Sequence, residues 1–486
     1  MSDQPFSEKI NLAQEALFSG EMNKKGLQEL FKSYADVNVT NYRQTAESVT
    51  VIYCEGMVDG NQLNEYFNSV IAFLSNRGKA VDTQQDLPPV ISIEEVSVLF
   101  EKVFSGFLVF FQDGRKHFWA IDIANIPKRT PEESKTETSI KGPKDSFTEE
   151  LNMNISLIRK RIKSPMLFNE FFSIGSISKT KVSILYLSDK VNHEALNEVR
   201  ERLNKIETES VLSAGQLEQW VSDRSLSIFP LMDYITRPDF AIESMLRGRF
   251  IIAVDGSPMV LIGPANFTEL TKSPEDLHFP YYFVLFQRVL RIIGILIAIY
   301  LPGFWIAIAS VNVDQLPFPL LATVVVSRQG LPFPGALEAL FILILFELLR
   351  EAGLRMPIAL GQTISIVGGL IIGDAAIRAG LASPTIIVII ALTAVATYTL
   401  VNQSLTGTVT VLRFLILVMA TFLGIYGVFI GAFAVLLYLC QLKSFRLDYM
   451  EPLVSLRPNE ILSALLINPY KTKNFTSSML NKGKKG

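Results

Sequence analysis

The chain has 486 residues, 49% of them hydrophobic, with a mean hydropathy of +0.31 and a formal net charge of −2 at pH 7. That apolar average excludes an ordinary soluble enzyme and points to a membrane portion. Charges recur every few residues from Met1 to about Phe286, while long uncharged runs fill Ile292 to Leu442, so the sequence divides into a soluble half and a membrane half.

The first 46 residues read as an N-terminal helical segment. MSDQPFSEKINLAQEALFSG has no basic stretch followed by an apolar core, so it does not match a signal peptide, and the soluble half is expected to stay cytoplasmic. Two α/β subdomains then follow, over 47–127 and 166–285. SVTVIYCEGMVDGNQLNEY from Ser48 and TKVSILYLSDKVNHEALNEV from Thr180 align at a constant offset of 133 residues. Tyr53 matches Tyr186, Val58 matches Val191, and Leu63, Asn64 and Glu65 match Leu196, Asn197 and Glu198. Each window reads as buried strand, turn and helix. Each is followed by a hairpin signal, GFLVFFQDGRKHFWAIDI and GRFIIAVDGSPMVLI, whose Asp-Gly suits a two-residue turn with both central residues at positive φ.

A linker and connecting helix occupy 128–165. Leu151, Ile155, Ile158 and Ile162 share one helical face, which predicts a docked helix. The basic run Arg159, Lys160, Arg161, Lys163 could meet lipid headgroups or an acidic partner, and a solvated face is the commoner explanation. Cys54 and Cys440 read as buried apolar thiols, not as a disulfide or a metal site.

In the membrane domain, 286–442, four runs can span a core of roughly 30 Å. They are Ile292 to Val311, Pro357 to about Gly380, Pro384 to Val401, and Phe414 to Leu439. Between the first two, the LPFP tetrapeptides with Pro317, Pro319, Pro332 and Pro334 interrupt helix, and pieces such as Ala339 to Phe346 are too short to cross. A re-entrant region is therefore expected, carrying Glu338, Glu347, Arg350 and Glu351. Arg288 and Arg291 precede the first span, and the tail over 443–486 has eight basic residues against three acidic ones. Both termini are then cytoplasmic and the number of crossings even, with Arg413 and the charges from Glu347 to Arg355 at the outer side.

Catalytic and cofactor signatures are missing. The three histidines, His117, His193 and His278, have no metal-ligand spacing, and neither phosphate loops, nucleophile elbows nor dinucleotide fingerprints occur. No enzyme activity, cofactor or nucleic-acid partner is expected.

The block SRQGLPFPGALEALFILILFELLREAGLRMPIALGQTISIVGGLIIGDAAIRAGLASP, Ser327 to Pro384, resembles the A subunits of the GerA-type nutrient germinant receptors of endospore-forming bacteria. SIKGPKDSFTEELNMNISLIRKRIKSPML resembles that family's helix between two N-terminal subdomains. The resemblance implies a receptor subunit in the spore inner membrane that acts with a transporter-like B subunit and a lipoprotein C subunit. It also implies an oligomer that answers nutrients by starting ion release. Leu343 stands where the family commonly has a glutamate, which removes a central carboxylate from any mechanism.

Within that block, Gly361, Ser365, Gly369 and Gly373 recur every four residues as one small-residue stripe that permits close helix approach. Ile364, Val367, Ile371, Asp374 and Arg378 fall on roughly the opposite face. If the family's channel is formed here, the three apolar residues would gate by dewetting, with Asp374 and Arg378 at the cytoplasmic mouth. The alternative is a stripe that packs within one subunit, beside an Asp374–Arg378 pair at i, i+4. A transporter and a non-conducting scaffold are the competing functions.

Overall fold

A computed structural model describes residues 6–44, 47–66, 89–125, 140–355 and 373–454. Two five-stranded antiparallel sheets lead the chain. The first has the order β1-β2-β4-β5-β3, built from Val37–Gln44, Glu47–Cys54, Phe107–Gln112, Phe118–Asp122 and Ile91–Ile93. The second has the matching order β6-β7-β9-β10-β8, from Leu167–Ile174, Thr180–Leu187, Phe250–Val254, Val260–Gly263 and Asp233–Ile235. The offset of 133 relates β2 to β7 end for end.

The N-terminal segment is not helical throughout. VNVTNYRQ pairs with β2 along its whole length as β1, with Val37 in the first sheet's core and Val39 packed against it. The helices Phe6–Ser19 and Lys24–Leu30 pack Leu17 and Leu27 into the first sheet's core beside Ile52 and Phe100.

Alternation along the second sheet fills two cores. Val182, Ile184, Phe250, Ile252 and Leu261 meet the helices His193–Asn204 and Ala214–Val221, and Leu185, Leu187, Ile251, Ala253 and Ile262 meet Leu151–Arg159 and Pro238–Leu246. Only glycine takes positive φ at the Asp-Gly turns, +83° at Gly114 and +82° at Gly256. The connections are accordingly longer than two residues, covering 113–117 and 255–259.

The connecting helix docks as its face predicts, with Leu151, Ile155 and Ile158 buried. Its basic run is a solvated face only in part: Lys160, Arg161 and Lys163 are exposed, whereas Arg159 is fully buried. Its Nε and Nη2 donate to the Asp36 carboxylate at 2.8 and 3.0 Å, and its Nη1 donates to the Leu167 carbonyl at 2.9 Å. The guanidinium stands 4.1 Å from the centre of the Phe104 ring and ties the N-terminal segment to the second subdomain. Burial opposes ionisation of Asp36, yet Arg159 holds the carboxyl below its ordinary range. Arg161 pairs with Asp145 at 2.7 Å.

The helical half begins with Tyr281–Ile306, continued by a π-helical turn over Ala307–Val311. This unit and Gln403–Leu423 are long and apolar enough to cross a membrane. Phe318–Ser327, Pro384–Thr397 and Ile425–Gln441 are shorter apolar helices. The run Phe414 to Leu439 is not one span. It breaks at Gly424, whose φ of +60° and ψ of −138° no other residue adopts readily, and the flanking helices fold back on each other with Ile416 against Gly431. Cys54 is buried and Cys440 exposed.

Candidate functional site: the junction and the helix core

Where the sheets meet the helices, charges are paired and buried. A capping box sets Ser273 and Asp276 at the start of the short helix Pro274–Leu277. The Asp276 carboxylate accepts from Arg288 Nε at 2.9 Å and from Arg291 at 2.9 and 3.1 Å. Two basic residues that read as an orienting flank therefore lock the root of the first long helix to the second subdomain. Beside them, Glu269 contacts Arg247 at 2.8 Å, Lys272 at 2.7 Å and Arg249 at 3.3 Å. Burial opposes its charge, but these three cations hold Glu269 well below the usual carboxylate range. Burial, with Arg247 adding to it, pushes Lys272 down to about 7 against the pull of Glu269.

The chain after the last helix returns to this junction. Phe445 packs 5.1 Å from Phe250, Arg446 pairs with Glu198 at 2.6 Å, and the Ser444 hydroxyl donates to the Leu231 carbonyl at 2.7 Å. Asn402, which caps the 403–423 helix, donates to Asp233 of β8. The starts of the 281–311 and 403–423 helices and the end of the 425–441 helix thus lie on the sheet side, called near below. Asn312 marks the far side, where its side-chain oxygen accepts from the Ile425 amide at 2.9 Å.

One polar node holds the middle of the helices. Pro302 has no amide proton, so the carbonyl of Ala298, four residues back, lacks its helical partner. Arg413 Nε fills the gap at 2.7 Å, and its Nη2 donates to the Thr397 hydroxyl. Gly303 sits so close to Ile416 that an added Cβ would meet its side chain at 2.8 Å. Three helices therefore cross at a proline-released carbonyl and one arginine. Arg413 lies inside the bundle, not at an outer interface.

The LPFP motifs, expected to interrupt helix, start helices instead. Pro317 caps Phe318–Ser327, with Pro319 in its first turn, and Pro332 and Pro334 precede Gly335–Arg355, a continuous 21-residue helix. At 1.5 Å per residue that is about 31 Å. Pro is well suited to a first turn, where amide protons have no helical partner. Glu338 is fully buried, accepts from the Ser383 amide at 3.1 Å and lies 3.5 Å from Arg328. Glu347 takes contacts from Arg350 and, at 3.2 Å, from Thr410, which lies in the second turn of the 403–423 helix. These charges are therefore toward the near side, contrary to the outer placement. Glu351 pairs with Arg355 at 2.7 Å on the surface, and Leu343 is buried against Ile306 and Ile386.

Of the gate and stripe residues, Gly361, Ile364, Ser365, Val367, Gly369 and Ile371 lie outside the described residues. Gly373 is described, and among the described residues the nearest neighbour to an added Cβ is Ile387 at 3.9 Å. Asp374 and Arg378 pair at 2.7 Å and are exposed. Their side of the bundle differs from expectation. Gly380 adjoins Leu331, Ser383 adjoins Glu338, and the 384–397 helix then runs back toward Arg413 and Gly294. The pair is therefore on the far side; because its charges cancel locally, it carries little orienting information.

The chain matches the family described as Bacillus/Clostridium GerA spore germination protein over residues 25–478. It belongs to the GerA family. Spore germination protein XA of Bacillus anthracis is 41% identical over 447 residues, covering 89% of this chain and 90% of that protein. Spore germination protein KA of Bacillus subtilis (strain 168) is 33% identical over 428 residues, 87% of this chain and 79% of that protein. Among solved structures, the N-terminal domain of the A subunit of the Bacillus megaterium spore germinant receptor GerK3 aligns at 25% identity. It covers 51% of this chain and 95% of that one, with a TM-score of 0.38.

Sequence reasoning missed Arg413, Asp276, Gly424 and the Asp36–Arg159 pair in this GerA chain. Arg413 carried a signal, since it is the single charge between Arg378 and Lys443, and Pro302 announces an orphaned carbonyl. Asp36 and Arg159, 123 residues apart, carried none.

Proposed function

We propose that this GerA-family chain is the A subunit of a nutrient germinant receptor and works within the spore inner membrane as an oligomer, with transporter-like B and lipoprotein C partners. The observation that carries the reading is family membership across nearly the whole chain, joined to a helical half whose exposed faces are apolar while a few charges lie buried in its core. Leu296, Phe304, Phe422, Phe429 and Phe433 are exposed, whereas Arg413 and Glu338 are buried, the reverse of a water-soluble bundle. Exposed Tyr281 and Tyr282 flank the start of the first long helix, which suits an interfacial aromatic belt at that end.

Oligomerisation brings copies of the segment around Val367 to a common axis, where Ile364, Val367 and Ile371 form an apolar constriction. Asp374 and Arg378 then stand at the mouth remote from the sheets. Nutrient binding reaches this gate through the sheet subdomains and the Asp276, Arg288 and Arg291 lock. Purified protein in liposomes, alone and with B and C subunits, tests the proposal. Nutrient-dependent ion flux supports a channel, saturable nutrient uptake would indicate a transporter, and neither would indicate a scaffold.

A further inference from the structure

A rim of the second subdomain has no place in this scheme. It comprises the end of the Ala214–Val221 helix and the loop leading to Pro230. Trp220 is 51% exposed, Leu226 94% and Ile228 40%, with Arg224 also exposed beside them. Such a tip is costly in water unless something apolar covers it.

Its position says what covers it. The Thr408 hydroxyl donates to the Ile228 carbonyl, and the Ile228 amide donates to the Tyr438 hydroxyl at 3.1 Å. Phe229 and Leu231, next in sequence, are buried among residues of the first, 403–423 and 425–441 helices. Gln219 and Arg224 share a cavity of about 220 Å³ with Ser404 and Thr408. The rim is therefore fixed at the level where two helices of the apolar half begin and end, continuous with their lipid-type surface. Tyr398, 73% exposed, closes the 384–397 helix toward the same side.

We infer that Trp220, Leu226 and Ile228 form a lipid-contact edge, seated in the interfacial layer of the bilayer with Arg224 among the phosphates. Tryptophan suits that layer because its ring is apolar and its indole N–H still finds water or headgroups, and arginine snorkels to the same depth. A sheet subdomain anchored there cannot rotate away from the membrane without drawing this edge out of lipid. The inference rests on the membrane reading above.

The chain has three tryptophans, Trp119, Trp220 and Trp305, so three single-tryptophan versions of the full protein separate the claims. Each is reconstituted in phosphatidylcholine and phosphatidylglycerol vesicles with and without brominated acyl chains. Trp305, in the first long helix, should lose emission; Trp119, in the first sheet, should keep it; and Trp220 should lose emission in the range of Trp305. Trp305 unquenched overturns the membrane reading. Trp305 quenched with Trp220 behaving like Trp119 overturns the lipid edge alone and points to a protein partner or water there. Should the double tryptophan substitutions fold poorly, a nitroxide on L226C in a C440S background gives the same answer. Greater accessibility to oxygen than to a water-soluble nickel complex supports the edge, and the reverse overturns it.

Discussion

Replacing Arg413 with methionine should destabilise the helical half by about 2–3 kcal/mol, the range for losing a charged hydrogen bond and stranding its buried acceptor. The reason lies at Ala298, whose carbonyl Pro302 deprives of a helical partner and Arg413 supplies at 2.7 Å. The cost should therefore depend on Pro302. In a Pro302→Ala background residue 302 regains an amide proton for Ala298, and the arginine becomes redundant at that oxygen. Removing it then also relieves a guanidinium that is 3% exposed and has no carboxylate within 4.0 Å among the described residues. The R413M cost should fall by about 1–2 kcal/mol in that background. The assay is a double-mutant cycle of four full-length proteins, with unfolding free energies measured by denaturant titration in detergent. Equal costs in the two backgrounds, within about 0.5 kcal/mol, would refute the reasoning.

Asp36→Asn should cost about 3–5 kcal/mol, because it leaves Arg159 buried against a neutral partner; a thermal midpoint unchanged from the parent would contradict this. The native carboxyl of Asp36 is held below its unfolded value near 3.9, so the pair's contribution is fully present above about pH 4 and lost as pH falls through the folded value. Acid titration of stability should thus be shallower in the Asp36→Asn protein. Lys272 behaves oppositely. With its folded value at about 7 and its unfolded value near 10.4, the unfolded chain holds more of this proton between those limits, so stability rises with pH across that window by up to ~1.4 kcal/mol per unit. Lys272→Met should flatten that slope in chemical denaturation between pH 7 and pH 10. Gly424→Val should prevent the helical hairpin from closing on Asn312, read as loss of monodisperse protein after detergent extraction.

The sheet half was legible because its signals are local. Strand, turn and helix recur at an offset of 133 residues, and the side chains of β9 and β10, all buried, go by turns to the two cores as a sheet covered on both faces requires. The helical half hid its breaks. Gly424 sits in a run as apolar as any span, and only the Asn312 side chain waiting at the far end makes it a turn. LPFP was read as an interruption because proline inside a helix is costly, yet the same residue at a first turn starts one. The run from Arg159 to Lys163 has the pattern of a solvated face; pairing with Asp36 is a long-range fact that no local spacing encodes. Charge counting placed Arg413, Asp374 and Arg378 by their flanks, whereas the folded chain places them by what they bind.

Ion flux through reconstituted receptor tests the central claim most directly. Liposomes holding this chain with the proposed B and C partners should release trapped monovalent cations only when nutrient is added, and Val367→Ala should release them without it. Full nutrient dependence in the Val367→Ala protein, or no flux from the parent under any nutrient, would contradict a conducting A subunit gated at that residue.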